Sequence, residues 1–173
     1  MPEVAVVSDT HVPTRADTIP EWVRERMGAA DHVVHAGDFD SAEAYDEVAA
    51  LAADLTAVAG NMDPVTLDLP DVATVELGGA TFVVVHGTGA VRNYRERVAG
   101  IVADEAESAA AAPPVVGVAG HTHRVMDERV EANGRTVRLL NPGSATGADP
   151  ASEATMLTVA VDDGEVDATV RRP

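Results

Sequence analysis

Apolar residues recur along this chain with two periods, and the switch between them marks a change of architecture. Residues 3 to 7, EVAVV, make a short apolar run that predicts a buried strand, and the segment from about Ile19 to Gly28 predicts a helix with Pro20 in its first turn. A strand at 31 to 36 (DHVVHA), a helix opening at Ser41 as N-cap with SAEAYDEVAALAADL behind it, and a strand at 55 to 59 (LTAVA) complete a β-α-β-α-β unit. From Val72 the pattern becomes VATVEL, a Gly78-Gly79 turn and TFVVVHG, which predicts a hairpin. A helix rich in alanine, glutamate and arginine follows at about 91 to 111, closed by Pro113-Pro114, and VVGVAG then predicts a further strand. RVMDERVEANGRTVRLL turns at Asn133-Gly134, and EATMLTVAVDDGEVDATVRR turns at Asp163-Gly164, giving two more hairpins. Strand-helix alternation followed by antiparallel hairpins predicts the α/β class: two packed mixed sheets with helices outside, a four-layer α/β/β/α sandwich. The 173 residues, short connections and lack of a repeat predict one domain over residues 1–173.

Charge narrows the classes of partner. The chain has 29 acidic residues against 12 basic ones, all of the latter arginine, for a formal net charge of −17. The acid is interleaved with valine, alanine and leucine at strand and helix periods, so it belongs on the outside of a folded chain. This pattern resembles proteins of salt-loving organisms, and near 1 M salt the Debye length of about 3 Å would screen most of the repulsion. An acidic surface with two Phe, two Tyr and one Trp excludes extended nucleic acid as a favoured partner. A small anionic substrate remains compatible, because a bound divalent cation reverses the local field. The start MPEVAVVSDT has no basic n-region, and no apolar stretch approaches the ~18 residues of a membrane span, so a cytoplasmic protein is expected. With no cysteine, any metal must be held by imidazole, carboxylate, amide or water.

Polar residues gather where the predicted strands end. SDTH follows the first strand, HAGDFD the second, AGNMD the third, VHGTG the fifth and AGHTHR the sixth, while LLNPGS ends the eighth. Strand ends are where ligands bind in sheets of this type. Glycines beside the polar residues give backbone room to approach a ligand. The candidate ligands are Asp9, His11, Asp38, Asn61, His86, His121 and His123. Oxygen and imidazole donors without sulfur suit Mn, Fe, Zn or similar divalent ions, and seven ligands fit two ions sharing a carboxylate. In extended backbone the i, i+2 pairs Asp9/His11 and His121/His123 would each point to one side.

DxH, GD, GN, HG and GHTH, in this order at successive strand ends, resemble the calcineurin-like metallophosphoesterase superfamily. The short length and NPGS are similar to its small, single-domain phosphodiesterase branch. The resemblance implies Asp9, His11 and His123 at one metal, Asn61, His86 and His121 at the other, and Asp38 bridging both. It also implies catalytic roles for Asp38, Asn61 and His121, and two divalent ions, Mn first with Ni, Fe or Zn as alternatives. Two ions about 3.5–4 Å apart would lower the pKa of a bridging water and supply a hydroxide for in-line attack on a phosphate ester. Asp40, Asp63 and Arg124 are placed between supporting and surface roles, His35 is expected to pack or orient a ligand, and Asn141 to Ser144 are expected to shape the floor through backbone hydrogen bonds. Arg92, Arg95 and Arg97 are expected on a solvated helix face.

Many larger relatives carry histidine after the GN asparagine, where this chain has Met62. A positioned general acid is worth roughly 10²–10⁴-fold, so diesters with good leaving groups are the expected substrates. The alternative is a scaffold of the same fold with little or no catalysis, like a retromer coat subunit. By analogy with small relatives, a dimer or tetramer is the expectation for assembly.

Overall fold

A computed structural model describes all residues from Met1 to Pro173. Strands β1 (Glu3–Val7), β2 (His32–His35) and β3 (Leu55–Ala57) alternate with helices α1 (Glu21–Ala29) and α2 (Ala42–Leu51). Strands β4 (Val72–Leu77) and β5 (Ala80–Val85) lead to helix α3 (Tyr94–Ser108), followed by β6 (Val115–Val118), β7 (Val125–Ala132), β8 (Arg135–Pro142), β9 (Met156–Asp162) and β10 (Glu165–Arg171). One sheet runs β10-β9-β1-β2-β3 and the other β4-β5-β6-β8-β7. Both are mixed: β1, β2 and β3 are parallel with β9 reversed beside β1, and β5, β6 and β8 are parallel with β4 and β7 reversed at the edges.

The alternation of side chains across each strand creates the layers. Val4, Val6 and Val34 of the first sheet meet Phe82, Val84 and Val116 of the second in a core between the sheets. Their neighbours Ala5, Val7 and Val33 point the other way, onto Val23 and Met27 of α1 and Val48 of α2. Val83, Val115 and Leu139 likewise face Val98 and Val102 of α3. The result is the expected α/β/β/α sandwich, and each fully buried valine contributes about 1.5–3 kcal/mol of burial.

Local signals hold with small corrections. The Ser41 side chain accepts the Ala44 N–H at 3.1 Å and caps α2. Pro20 stands just before α1 rather than inside its first turn, its carbonyl accepting the Val23 N–H at 3.0 Å. All three hairpins turn on two residues with positive φ, as Asn133 (51°) and Gly134 (75°) illustrate, which is the turn that matches strand twist. Strand β3 stops at Ala57, because the Ala59 N–H leaves the sheet to donate to Pro70 O. A single 3₁₀ turn, Val91–Asn93, precedes α3, so the helix is shorter than the composition predicts. The carboxyl ends of the parallel strands β1, β2 and β3 and of β5, β6 and β8 open onto one edge of the sandwich.

Candidate metal centre

That edge collects the ligand candidates. Asp9 and His11 follow β1, Asp38 follows β2, Asn61 follows β3, His86 follows β5, and His121 and His123 follow β6. Asp9, His11 and His123 bring one donor atom each within 4.8 Å of one another, as do Asp9, Asp38 and His86. Asp38 Oδ2 lies 3.1 Å from His86 Nε2 and 3.6 Å from His11 Nε2, between the two groups. Asp9 Oδ1 is 3.3 Å from His123 Nε2 and 3.6 Å from His11 Nε2. His121 Nδ1 faces Asn61 Oδ1 at 3.2 Å, and the His121 ring packs edge-on against His86. Asn61 and His121 are the more solvent-accessible members, while Asp9, His11, Asp38, His86 and His123 are buried.

The pairs converge by a route that period-2 reasoning does not contain. Asp9 (φ 54°), His11 (48°), Asp38 (64°), Asp40 (78°), His121 (74°) and His123 (60°) all take left-handed backbone. Six such non-glycine residues in one place concentrate strain at the centre. The i, i+2 members are therefore turned inward by tight loops, not by extended chain. The glycines also differ from expectation. A Cβ on Gly60 would collide with Asp38, one on Gly120 with Ser8 and Asp9, and one on Gly37 with Gly60 and His86, so these glycines make room for the ligands themselves.

Second partners fix the imidazoles. His11 Nδ1 donates to Asp40 at 2.9 Å, His86 Nδ1 to Ala36 O at 2.7 Å, and His123 Nδ1 to Ala148 O at 2.8 Å, which leaves every Nε2 lone pair aimed into the centre. His11 Nε2 and His123 Nε2 then face each other at 3.1 Å, an arrangement that either a shared proton or a bound cation satisfies. Asp9 Oδ1 and His86 Nε2 are fully buried without a hydrogen-bond partner, a costly state for polar atoms unless they bind an ion. The donor set therefore fits a divalent metal. His35, in contrast, is committed: it accepts the Gly37 N–H at Nδ1, contacts Thr10 Oγ1 at 2.8 Å through Nε2 and stacks on Phe39.

Electrostatics follow from this packing. Burial pushes the Asp9 carboxyl up, but His11, His123, the charge of His86 and the Ser8 hydroxyl outweigh it and hold it far below the usual carboxylate range. Asp38 is likewise lowered, its burial overcome by His86 and by the Met62 N–H, which donates to Oδ1 at 2.8 Å. Burial opposes charge on His11 and His86, yet Asp9 and Asp40 raise the first and Asp38 and Asp9 raise the second. Burial dominates at His35 and lowers it to about 3.

Of the residues that support the centre, Tyr94 and Arg97 escape sequence reasoning. The Asp63 carboxylate accepts four backbone N–H groups, those of Phe39 (2.7 Å), Gly60 (2.8 Å), Asp38 (2.9 Å) and Asp40 (3.0 Å), and so ties the Asp38 loop to the Asn61 loop. Tyr94 donates to Gly120 O at 2.6 Å, and Asn141 Nδ2 binds Gly120 O and Thr122 Oγ1, bracing the loop of His121 and His123. The NPGS segment thus works through side chains as well as backbone, since Ser144 Oγ also donates to Asp9 O at 2.8 Å. Arg97 is not on a solvated face: it donates to Thr88 O, Gly87 O and Ala90 O, fixing the loop whose Gly89 carbonyl accepts from His121 Nε2 at 3.0 Å. The aspartate two residues beyond Asn61 and the NPGS segment were the signals available in the sequence.

Comparison with known proteins gives the family and the fold. A probable metallophosphoesterase of Methanothermobacter thermautotrophicus is 28% identical over 170 residues, covering 98% of this chain and 91% of the relative. A second probable metallophosphoesterase, from Methanocaldococcus jannaschii, is 31% identical over 143 residues, covering 83% of this chain and 68% of the relative. Among solved structures, Vps29 of Chaetomium thermophilum shares the fold with a TM-score of 0.72 at 22% identity, over 100% of this chain and 97% of that one. The family model of the calcineurin-like phosphoesterase superfamily domain matches residues 3–164, nearly the whole chain and every ligand loop in it. The chain belongs to the calcineurin-like phosphoesterase superfamily.

Proposed function

We propose that this chain is a divalent-metal-dependent phosphodiesterase acting on small phosphate diesters. The observation that carries the reading is the pair of buried, unpartnered donors, Asp9 Oδ1 and His86 Nε2, inside a ring of inward-facing histidine nitrogens. Asp9, His11 and His123 would hold one ion, Asn61, His86 and His121 the other, with Asp38 between them. Bound ions of this kind supply a water of lowered pKa and a clamp for the non-bridging phosphate oxygens. The protein's part is to hold its ligands deprotonated and aimed: Asp40, Ala36 O and Ala148 O each keep a histidine proton on Nδ1, so that Nε2 stays free. Mn is the first choice of metal, with Ni, Fe and Zn as alternatives, because oxygen and imidazole donors accept all four.

Met62 sets the leaving-group preference. Its backbone N–H orients Asp38, but its thioether has no proton to give, so esters of acidic alcohols, such as aryl diesters, should react faster than alkyl monoesters. The test is to strip the protein with EDTA in high salt, restore Mn²⁺, and follow release of p-nitrophenol from bis(p-nitrophenyl) phosphate. Mn²⁺-dependent turnover that disappears in Asp38→Asn supports the reading. A second reading, a scaffold of the same fold, draws on the likeness to Vps29, and absence of any Mn²⁺-dependent turnover would favour it.

No helix is long and apolar enough to cross a membrane.

A further inference from the structure

Arginines gather at the rim of the centre. Three of the twelve arginines, Arg92, Arg95 and Arg124, line one pocket of about 380 Å³ between the start of α3 and the start of β7. Thr122, the residue between His121 and His123, forms part of its wall, and Val91, Tyr94 and Met126 give it an apolar side. Arg124 also lines, together with His123, a second depression of about 320 Å³ on the other side of the same loop. Arg95 is neutralised there by Glu128 at 2.6 Å and Glu96 at 3.6 Å. Arg92 and Arg124, like six of the other arginines, enter none of the chain's ion pairs, so their guanidinium groups are free to meet an anion in this pocket.

We infer that Arg92 and Arg124 form an anion subsite beside the metal centre, which selects phosphodiesters bearing a second anionic group, a carboxylate or phosphate, on the retained alcohol. The inference rests on the phosphodiesterase reading above. A guanidinium offers a rigid fork of donors that matches either group in a bidentate way. The apolar side of the pocket takes the carbon chain that joins this group to the scissile phosphate. At high salt, attraction beyond contact is screened, so selection depends on the fork touching the anion and not on a diffuse field.

The test compares two esters with the same leaving group, butyl p-nitrophenyl phosphate and 3-carboxypropyl p-nitrophenyl phosphate, on the Mn²⁺-loaded protein. The expected kcat/KM ratio favours the carboxylated ester by about tenfold, as one charge-assisted contact provides, and Arg92→Gln/Arg124→Gln brings the ratio close to one. A ratio near one in the unmodified protein, or a preference that survives the double substitution, overturns the inference. Calorimetric binding of 3-carboxypropyl phosphate against butyl phosphate reads the same subsite without turnover. If neither ester is hydrolysed, the phosphodiesterase reading fails by itself. The subsite is then decided by binding: tighter binding of the carboxylated monoester, lost in the double variant, supports it, and equal dissociation constants overturn it.

Discussion

Asp63→Asn removes half of a four-point clamp while preserving shape. One carboxylate oxygen accepts from Phe39 N and Asp40 N, the other from Asp38 N and Gly60 N. An amide in either orientation keeps one accepting oxygen and turns its NH₂ towards the other two N–H donors, so two hydrogen bonds are lost. Hydrogen bonds to a charged acceptor contribute about 1.5–3 kcal/mol each, and because Asp63 is only half-buried, water recovers part of the loss, leaving roughly 2–4 kcal/mol. For a chain of this size that corresponds to a fall in Tm of about 4–16 °C. In either orientation at least one severed bond ties residue 63 to the Asp38 loop, so Mn²⁺ affinity should also drop, by roughly 10–100-fold as for other supporting partners of metal ligands. Thermal unfolding in EDTA isolates the structural part, and calorimetric titration with Mn²⁺ measures the second. A Tm within 2 °C of the unmodified protein together with unchanged Mn²⁺ affinity would refute the clamp.

The metal-free protein should be most stable near pH 6.5. His11 and His86 have raised folded pKa values, so the stability they add is complete below their unfolded value and lost as pH rises through the folded ones. His35 is lowered to about 3, so below pH 6.5 the unfolded chain gains a proton that the folded chain refuses, and the lowered Asp9 and Asp38 add a further loss as pH falls through their folded values. A Tm in EDTA that climbs steadily from pH 6.5 to 9 would contradict this. Mn²⁺ affinity should instead increase with pH over that range, because binding requires neutral imidazoles, and calorimetry at several pH values reads it. Only six of the 29 acidic residues lie in ion pairs with arginine, so molar KCl should raise Tm by screening the remainder, and equal midpoints in dilute buffer would count against it. Met62→His should raise monoester hydrolysis relative to aryl diester hydrolysis by roughly tenfold or more, read from the ratio of initial rates, with no change as the contrary result.

The layers and the ligand order were legible because they depend on local signals that tertiary structure did not override. Ser41, the Asn133-Gly134 turn and the valine-rich runs of β1 and β5 each say locally what the fold does globally. The centre was legible as a set of residues but not as a geometry. Nothing in a sequence pattern states that Asp9, Asp38 and His121 adopt left-handed backbone, since only the surrounding loops make that affordable. Arg97 and Tyr94 were invisible for a related reason. Their functions lie in contacts to the carbonyls of Thr88 and Gly120, and a carbonyl leaves no mark on residue type. Asp63 was ambiguous until its four N–H partners came from three different positions around Asp38 and from Gly60.

We propose that Asp38 Oδ2 lies between two metal positions, one facing His11 and His123, the other facing His86. Anomalous diffraction at the manganese edge from crystals soaked in Mn²⁺ tests it directly. Two peaks roughly 3.5–4 Å apart, on either side of Asp38, are expected. A single peak, or none at an otherwise ordered centre, would contradict it.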